Sequence, residues 1–384
     1  MSGFGMIFGL LGALFVYGAA NVYIGRRLHQ GLARLFPSLR GRPFAWAYGA
    51  VAAAFVLSYF PLPGAIRGWV SVFGAYWMGI FVYLLLWLVV ADFALTAGRL
   101  AGLIPSPTPG SVRLRAVGLA LLLTIGFTGY GIWHATRIYE VRYEAKLGGP
   151  ANGTPLKIAL ISDLHLGAAR SESRLGEIVG RINRMEPDLV VMAGDIFNDD
   201  FRAIRNPGRA SELLRRLEAG YGVYASLGNH DGGSTFPQML EFLKDSNITV
   251  LMEEFTVIDN RFVLIGRLDP SPIGGYGGLE RQDTDALLAG LAGVDPALPR
   301  IVLDHTPSRL SQYGGEVDLI LSGHTHRGQM FPANLITRLL YEVDYGHYQK
   351  DPASPHVIVT SGVGTWGMPM RVGTNCEIVE IVLH

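Results

Sequence analysis

Cysteine and net charge are the two features that this sequence has least of. Its 384 residues include one cysteine, Cys376, and the formal net charge is zero. A single cysteine cannot form a disulfide within the chain, so a disulfide-stabilised scaffold is excluded, while the redox compartment stays open. Nucleic-acid-binding surfaces are strongly basic, so the charge balance gives no reason to expect a nucleic-acid partner.

Charged side chains are also missing from the interiors of four long apolar runs near the N-terminus. The runs cover residues 4–24, 44–60, 69–90 and 116–135. Each is long enough to cross the roughly 30 Å hydrocarbon core of a bilayer. A channel or transporter would be expected to place ionisable groups within the membrane, so the uncharged interiors favour an anchor. We therefore predict a four-helix transmembrane region over residues 1–136, with the lipid bilayer as its partner, and a second domain over residues 137–384.

The arginines between the runs predict an orientation. The loops after the first and third runs are rich in arginine, whereas the loop after the second run has only Arg67 and the N-terminal tail has none. Cytoplasmic loops carry an excess of Lys and Arg, which places both termini and the second domain outside the cytoplasm in an integral protein of the cell membrane. Arg137, Arg142 and Lys146, which follow the fourth run, argue against this orientation.

Short apolar runs alternate with helix-like stretches in residues 137–384, which is typical of an α/β fold. Strands are predicted at residues 157–161, 189–193, 222–227, 300–303 and 317–321, and helices at 175–182, 211–219, 235–245 and 279–291. A glycine-rich turn is predicted at residues 148–153.

Polar residues that can bind metals follow all five of these strands. They are Asp163, His165, Asp195, Asn229, His305, His324 and His326. Ligands bind at the carboxyl ends of strands in open α/β sheets, so these side chains are candidates for one site. Imidazole and carboxylate donors without a thiolate favour Mn, Fe or Zn over Ca or a structural zinc site. Seven donors suit two divalent ions that share one carboxylate, and such a pair can activate water against a phosphoryl group.

The spacing of these residues resembles a known family. Asp163-x-His165, Gly194-Asp195-x-x-Asn198, Gly228-Asn229-His230-Asp231, His305 and Gly323-His324-x-His326 match, in order, the five motifs of the calcineurin-like metallophosphoesterases. The longer forms of the motifs are similar to a bacterial membrane-associated subgroup and to transmembrane proteins with a metallophosphoesterase domain. The resemblance implies a four-layer α/β/β/α sandwich.

The resemblance also implies roles for individual residues. One ion would be held by Asp163, His165, Asp195 and His326, and the second by Asp195, Asn229, His305 and His324. His230, oriented by Asp231, would stabilise the transition state or protonate the leaving oxygen. Asn198 would lie behind the metal ligands.

The function expected from these residues is that of a membrane-anchored, dinuclear metal-dependent phosphoesterase in which a metal-bound hydroxide attacks phosphorus. Arg327 and Arg371 are candidates for bidentate contacts with the substrate phosphate. The membrane anchor favours a phospholipid, a lipid-linked phosphate or another amphiphilic substrate similar to UDP-2,3-diacylglucosamine. A phosphodiesterase or phosphatase for soluble substrates is the alternative, and a metal-free binding scaffold is a further one. The sequence leaves the oligomeric state open.

Overall fold

The chain has two compact units, Met1–Ile132 and Trp133–His384. The structure is a computed structural model that describes residues 3–60, 62–147, 154–169 and 171–384. The turn predicted at residues 148–153 lies outside the described residues.

Four helices begin the chain: α1 Gly3–Leu35, α2 Gly41–Leu57, α3 Gly64–Leu100 and α4 Gly110–His134. Three described segments of these helices are long and apolar enough to cross a membrane: Phe8–Leu35, Ile66–Leu100 and Gly110–His134. Helix α2, the predicted second span, has 17 residues and is not among them. The described part of the chain therefore has three candidate spans, where the sequence predicted four.

Side-chain contacts give the relative directions of α1 and α3. Trp77 of α3 donates a hydrogen bond from Nε1 to the Tyr17 hydroxyl of α1 (3.0 Å). Further along both helices, the Tyr23 hydroxyl donates to Asp92 Oδ2 (2.8 Å). The later residue of α1 contacts the later residue of α3, so the two helices run in parallel.

Helix α2 returns the chain between α1 and α3. The Tyr17 hydroxyl donates to Ala52 O (2.8 Å), whereas His29, later on α1, lies with its ring 5.3 Å from that of Phe44, earlier on α2. These contacts make α2 antiparallel to α1. In α4, Phe127 packs against α3, with its ring 5.0 Å from that of Trp87.

The described residues of the second unit form two six-stranded sheets. The first has the order β1-β12-β2-β3-β4-β5 and the second the order β10-β11-β9-β8-β7-β6. The strands are β1 Ile138–Ala145, β2 Leu156–Ile161, β3 Leu189–Ala193, β4 Val223–Ser226, β5 Thr249–Val250, β6 Glu254–Ile258, β7 Phe262–Gly266, β8 Arg300–Leu303, β9 Leu319–Ser322, β10 Gly346–Tyr348, β11 His356–Val359 and β12 Cys376–Leu383.

Apolar side chains pack between the sheets and on their outer faces. Leu160 of the first sheet and Leu321 of the second belong to one buried cluster, so the sheets face each other. A second cluster joins the first sheet to helices α5 Leu175–Arg184, α6 Pro207–Leu214 and α7 Phe236–Asp245. A third cluster joins the second sheet to helix α8 Thr284–Ala289. Helix α9 Ala333–Leu340 has no buried residue.

Helices α6 and α8 differ from their predicted bounds, since the helix predicted at residues 279–291 is α8, Thr284–Ala289. The helix predicted at residues 211–219 is α6, which begins at Pro207 because the Asn206 side chain accepts the Arg209 N–H at its N-terminus. Proline is favoured in the first helical turn, where its missing N–H costs nothing. Helix α9 was not predicted from the sequence.

Candidate metal centre

The predicted donors come from both sheets and meet at one edge. Strands β2, β3 and β4 of the first sheet and β8 and β9 of the second all end at this edge. Backbone hydrogen bonds join the loops that follow them: Asp163 N–H donates to Gly194 O (3.0 Å), and Gly323 N–H donates to His305 O (2.9 Å). All seven predicted donors lie in these loops.

The backbone at this edge is strained. Positive φ angles occur at five of the seven predicted donors, at Asp163 (55°), His165 (47°), Asp195 (52°), His324 (69°) and His326 (48°). Residues other than glycine rarely adopt this conformation, and each instance costs about 1–3 kcal/mol. Such strain clusters at functional sites, where the surrounding structure holds it.

Glycines allow the loops to approach closely. Gly194 has a φ of 78°, and a Cβ on it would lie 2.7 Å from the Gly228 nitrogen and from His305 Cγ. A Cβ on Gly323 would lie 2.6 Å from Ser162 Cβ and close to the Asp163 carboxylate. No larger residue fits these two positions without moving a predicted ligand.

Asp163, His165 and His326 form the first donor group, with ligand atoms all within 4.8 Å of one another. His326 Nε2 lies 3.1 Å from His165 Nε2 and 3.3 Å from Asp163 Oδ1. All three residues are buried. The first group corresponds to the ligands expected for one ion, apart from the shared Asp195.

Asp195, His305 and His324 form the second donor group. His305 Nδ1 lies 2.7 Å from Ala193 O and donates to it, which leaves Nε2 facing Asp195 Oδ2 at 3.2 Å. The fourth expected ligand, Asn229, has its Oδ1 2.9 Å from His324 Nδ1. The structure therefore brings the expected ligands of the second ion together.

The Asp195 carboxylate lies between the two groups. Its Oδ2 is 3.8 Å from His165 Nε2 of the first group and 3.2 Å from His305 Nε2 of the second. Its Oδ1 accepts the His230 backbone N–H at 2.9 Å, which fixes its orientation. This is the position that a bridging carboxylate would take.

Burial and neighbouring charges shift pKa values across the cluster. Burial acts to lower the pKa of His305, but the charge of Asp195 outweighs it and raises this pKa well above its usual range. Burial lowers the pKa of His165 to about 4 and that of His324 to about 3, so both imidazoles are neutral, as metal ligands must be. Burial raises the pKa of Asp163 to about 6, since its charge lacks sufficient compensation. Burial also acts to raise the pKa of Asp195, but the neighbouring His305 outweighs it and lowers this pKa. Oxygen and imidazole donors around buried carboxylates suit divalent metal ions.

His230 has a different partner from the one expected. Its Nδ1 lies 2.6 Å from Asp199 Oδ1. Burial lowers the pKa of His230, but the hydrogen bond with Asp199 and the charge of Asp195 outweigh burial and raise it overall. The ring lies 5.2 Å from that of His165 and 5.9 Å from that of Trp366, between centroids.

Asp231 does not orient His230, so that expectation was wrong. Its carboxylate accepts the backbone N–H groups of Phe197 and Gly228, both at 2.8 Å, and therefore holds the loop together. Asp199 was not among the predicted site residues, although it follows Asn198 directly and an acidic side chain at this position was a usable signal. Asn198 Oδ1 is buried with no hydrogen-bond partner among the described residues, and its role stays a prediction.

Arg371 is not available to a substrate, which corrects a second expectation. Its side chain is fully buried. Its Nη2 donates to the carbonyl oxygens of Ser361 (2.7 Å) and Gly364 (2.6 Å), and its Nη1 donates to His326 O (3.0 Å). The guanidinium thus holds the loop behind His326. Hydrogen bonds with these carbonyls hold its position because each is charge-assisted.

Arg327 packs on an aromatic ring. Its guanidinium carbon lies 4.3 Å from the centre of the Tyr345 ring, and the residue is partly exposed. The predicted contact of Arg327 with substrate phosphate stays a prediction.

Comparison with known proteins places this site in a family. A family model described as calcineurin-like phosphoesterase matches residues 156–328. A transmembrane protein with metallophosphoesterase domain from Danio rerio is 28% identical over 94% of this chain and 86% of its own length. Uncharacterized metallophosphoesterases are 36% identical in Aquifex aeolicus, over 60% of this chain and 86% of that protein, and 30% identical in Helicobacter pylori strain J99, over 73% of each.

The transmembrane relative and the three apolar helices indicate membrane association. The matched region contains all seven metal-ligand candidates, which lie between Asp163 and His326. The chain belongs to the calcineurin-like metallophosphoesterases and is a metal-dependent phosphoric ester hydrolase.

Proposed function

We propose that the protein is a membrane-anchored phosphoesterase that uses two divalent ions to hydrolyse a phosphoester or pyrophosphate bond in a lipid-linked substrate. The observation that carries the two-ion proposal is the position of Asp195, whose Oδ2 lies 3.8 Å from His165 Nε2 and 3.2 Å from His305 Nε2. A carboxylate in this position, between the imidazoles of two donor groups, could bind both ions.

The chain's own residues hold and orient the reacting groups. When bound, two divalent ions supply Lewis-acid polarisation of the phosphoryl oxygens and lower the pKa of a bound water. Asp163, His165 and His326 would hold one ion, Asn229, His305 and His324 the other, and Asp195 both.

His230 is the candidate proton donor. Its Nδ1 is held by Asp199 at 2.6 Å, which leaves Nε2 to hydrogen-bond a phosphoryl oxygen or the leaving oxygen. A hydrogen bond in which one partner is charged is short and fixes geometry well. Asp199 is therefore a positioning residue for His230, in the role that was expected of Asp231.

The two sheets and their helices favour a four-layer α/β/β/α arrangement. One cluster of apolar side chains lies between the sheets, and one lies on the outer face of each sheet. In such an arrangement the metal ligands come from the strand ends of the two central layers.

A four-span anchor is supported by the directions of the helices. Since α1 and α3 run in parallel, the chain returns between them through α2, whose 17 residues match the lower limit for a span. Four crossings leave the N-terminus and the catalytic domain on the same side of the membrane. The arginine-rich loops after α1 and α3 then face the cytoplasm, and the domain lies outside it.

An amphiphilic substrate fits an anchored enzyme. Tethering the domain at a bilayer raises its effective concentration toward molecules in that bilayer, and gives no advantage toward soluble ones. Hydrolysis of a soluble phosphodiester is the second candidate, and the same metal centre supports it. The metal-free scaffold is disfavoured because the seven donor residues are all present and lie together.

Turnover measurements on the full chain in detergent with Mn²⁺ test the proposal. UDP-2,3-diacylglucosamine serves as the lipid-linked pyrophosphate and bis(p-nitrophenyl) phosphate as the soluble diester. We expect a higher kcat/KM for the lipid, and loss of both activities in His324→Ala.

Each alternative has its own outcome in this experiment. Equal or better turnover of the soluble diester would support the phosphodiesterase, and the helices would then anchor the domain without contributing to substrate choice. Absence of metal-dependent turnover on both substrates, together with a metal-free protein by elemental analysis, would support the scaffold.

A further inference from the structure

Helix α9 has its apolar side chains on the outside. Leu335, Ile336, Leu339 and Leu340 are 50%, 56%, 86% and 71% exposed, and the helix has no buried residue. At 100° per residue these four side chains lie on one face about 140° wide. A surface helix of a soluble domain normally turns such a face inward, so this face is the reverse of the usual arrangement. We call these four residues the α9 apolar face.

The polar side of α9 is attached to the loop that carries two predicted metal ligands. The Thr337 hydroxyl donates to Asp344 Oδ2 (2.9 Å), and the Thr325 hydroxyl, between His324 and His326, donates to Asp344 O (2.6 Å). The Tyr341 ring, directly after α9, lies 5.9 Å from the His324 ring. The inward side of α9 is thus fixed by polar contacts beside the metal centre, and its outward side is apolar.

A bilayer is within reach of this domain. The last candidate span ends at His134 and the first strand of the domain begins at Ile138. The three residues between them cover at most about 11 Å when fully extended. If the helices span a membrane as proposed, so short a connection keeps the domain close to lipid. Contact with lipid would then remove an exposed apolar helix face from water, which is favourable.

The charge next to the apolar face suits a phospholipid surface. Arg338 is exposed on the same helix, one turn from Leu335. Amphipathic helices that lie in the membrane interface combine leucine-rich faces with basic residues that meet lipid phosphates.

We propose that the α9 apolar face enters the bilayer interface and contacts lipid acyl chains, so that a lipid phosphate is presented to the metal centre. The specificity part of this proposal rests on the proposed lipid phosphoesterase function. The contact of α9 with lipid does not, and it can be measured without turnover.

Spin labelling tests the membrane contact directly. The full chain is reconstituted in dioleoylphosphatidylcholine nanodiscs with a nitroxide on Leu339→Cys, and on Glu212→Cys, an exposed position of α6, as the control. The native Cys376 is buried, and the unsubstituted protein gives the background labelling. We expect the label at 339 to be more accessible to oxygen than to a water-soluble nickel chelate, and the label at 212 to show the opposite.

Two results would overturn the proposal. Equal accessibility of both labels to the nickel chelate would mean that α9 stays in water. Low accessibility to both reagents at 339, with spin–spin broadening at two copies per nanodisc, would mean that a second copy of the chain covers the face.

A turnover ratio tests the consequence for specificity. In Leu339→Gln with Leu340→Gln, we expect the ratio of UDP-2,3-diacylglucosamine turnover to bis(p-nitrophenyl) phosphate turnover to fall at least about tenfold, since two leucines leave the lipid. Val257→Gln, at an exposed apolar position of β6, should leave this ratio unchanged. An unchanged ratio in the double variant would contradict a role of α9 in lipid recognition. If the wild-type protein hydrolyses neither substrate, the proposed function fails while the label at 339 still decides the membrane contact.

Discussion

At the scale of the residue, the contact between Asp199 and His230 gives the clearest prediction for the reaction. The 2.6 Å distance between Asp199 Oδ1 and His230 Nδ1 fixes the imidazole ring beside the metal centre. Asp199→Asn keeps the size of the side chain but removes its charge. We expect kcat to fall roughly tenfold to hundredfold, within the range that one positioned acid contributes, while elemental analysis shows unchanged metal content.

The neighbouring residue provides the control for this prediction. Asp200 accepts the Arg202 backbone N–H at 3.0 Å, outside the metal cluster. Asp200→Asn should leave kcat within about twofold. A full kcat in Asp199→Asn would show that His230 does not depend on Asp199.

Arg371 tests whether a buried arginine is structural or binds substrate. Replacement by Met removes several charge-assisted hydrogen bonds to backbone carbonyls, each worth about 1.5–3 kcal/mol. We expect the free energy of unfolding to fall by at least about 3 kcal/mol, measured by urea unfolding in detergent.

Arg209→Met, at an exposed ion pair with Glu212, should change the free energy of unfolding by less than about 1 kcal/mol. Unchanged stability of Arg371→Met combined with a raised KM would restore the substrate-binding role expected from the sequence.

At the scale of the element, the loop after β9 is held by close packing at Gly323. A Cβ there would lie 2.6 Å from Ser162 Cβ and would press on the Asp163 carboxylate. We expect Gly323→Ala to lose most of its bound metal, as measured by elemental analysis of the purified protein. Gly314 lies in the loop before β9, and a Cβ added there would have no atom within 4 Å. The control variant Gly314→Ala should therefore retain the metal. Equal metal content in the two variants would contradict this account of the loop.

Much of this element-scale organisation was predictable from the sequence. Strands β2, β3 and β8 carry short apolar runs followed by polar residues, and apolar runs of this kind identify buried strands. The pairing of β12 with both β1 and β2 was not predictable, because β12 lies more than 200 residues along the chain from both partners. Such pairings depend on contacts that no local pattern encodes.

Helix α9 and Asp199 show the limits of local patterns in two different ways. The spacing of Leu335, Ile336, Leu339 and Leu340 is that of one helix face. This face does not pack on a core, so the search for buried helices did not identify it. Asp199 was visible in the sequence beside Asn198. Its contact with His230, 31 residues away, required the fold. Arg371 was misassigned because composition does not report burial.

At the scale of the whole molecule, the number of crossings and the side of the N-terminus together decide on which side of the membrane the enzyme works. With α2 as a span, alkaline phosphatase fused after His384 in a bacterial host should be active, and green fluorescent protein at the same position should be dark. The result follows because an even number of crossings returns the chain to the side of its N-terminus, and the arginine-rich loops after α1 and α3 place that side outside the cytoplasm. A bright fluorescent fusion with an inactive phosphatase would place the domain in the cytoplasm and contradict this orientation.

The central claim is that two divalent ions share Asp195 in a working phosphoesterase. The most direct measurement is the number of metal ions per chain in purified, Mn²⁺-loaded protein by elemental analysis, with bis(p-nitrophenyl) phosphate turnover recorded on the same sample. We predict two ions per chain with turnover, and fewer than one ion with no turnover in Asp195→Ala, because Asp195 Oδ2 lies between the donor groups. Wild-type turnover with one ion per chain or none, or undiminished turnover in Asp195→Ala, would contradict the account.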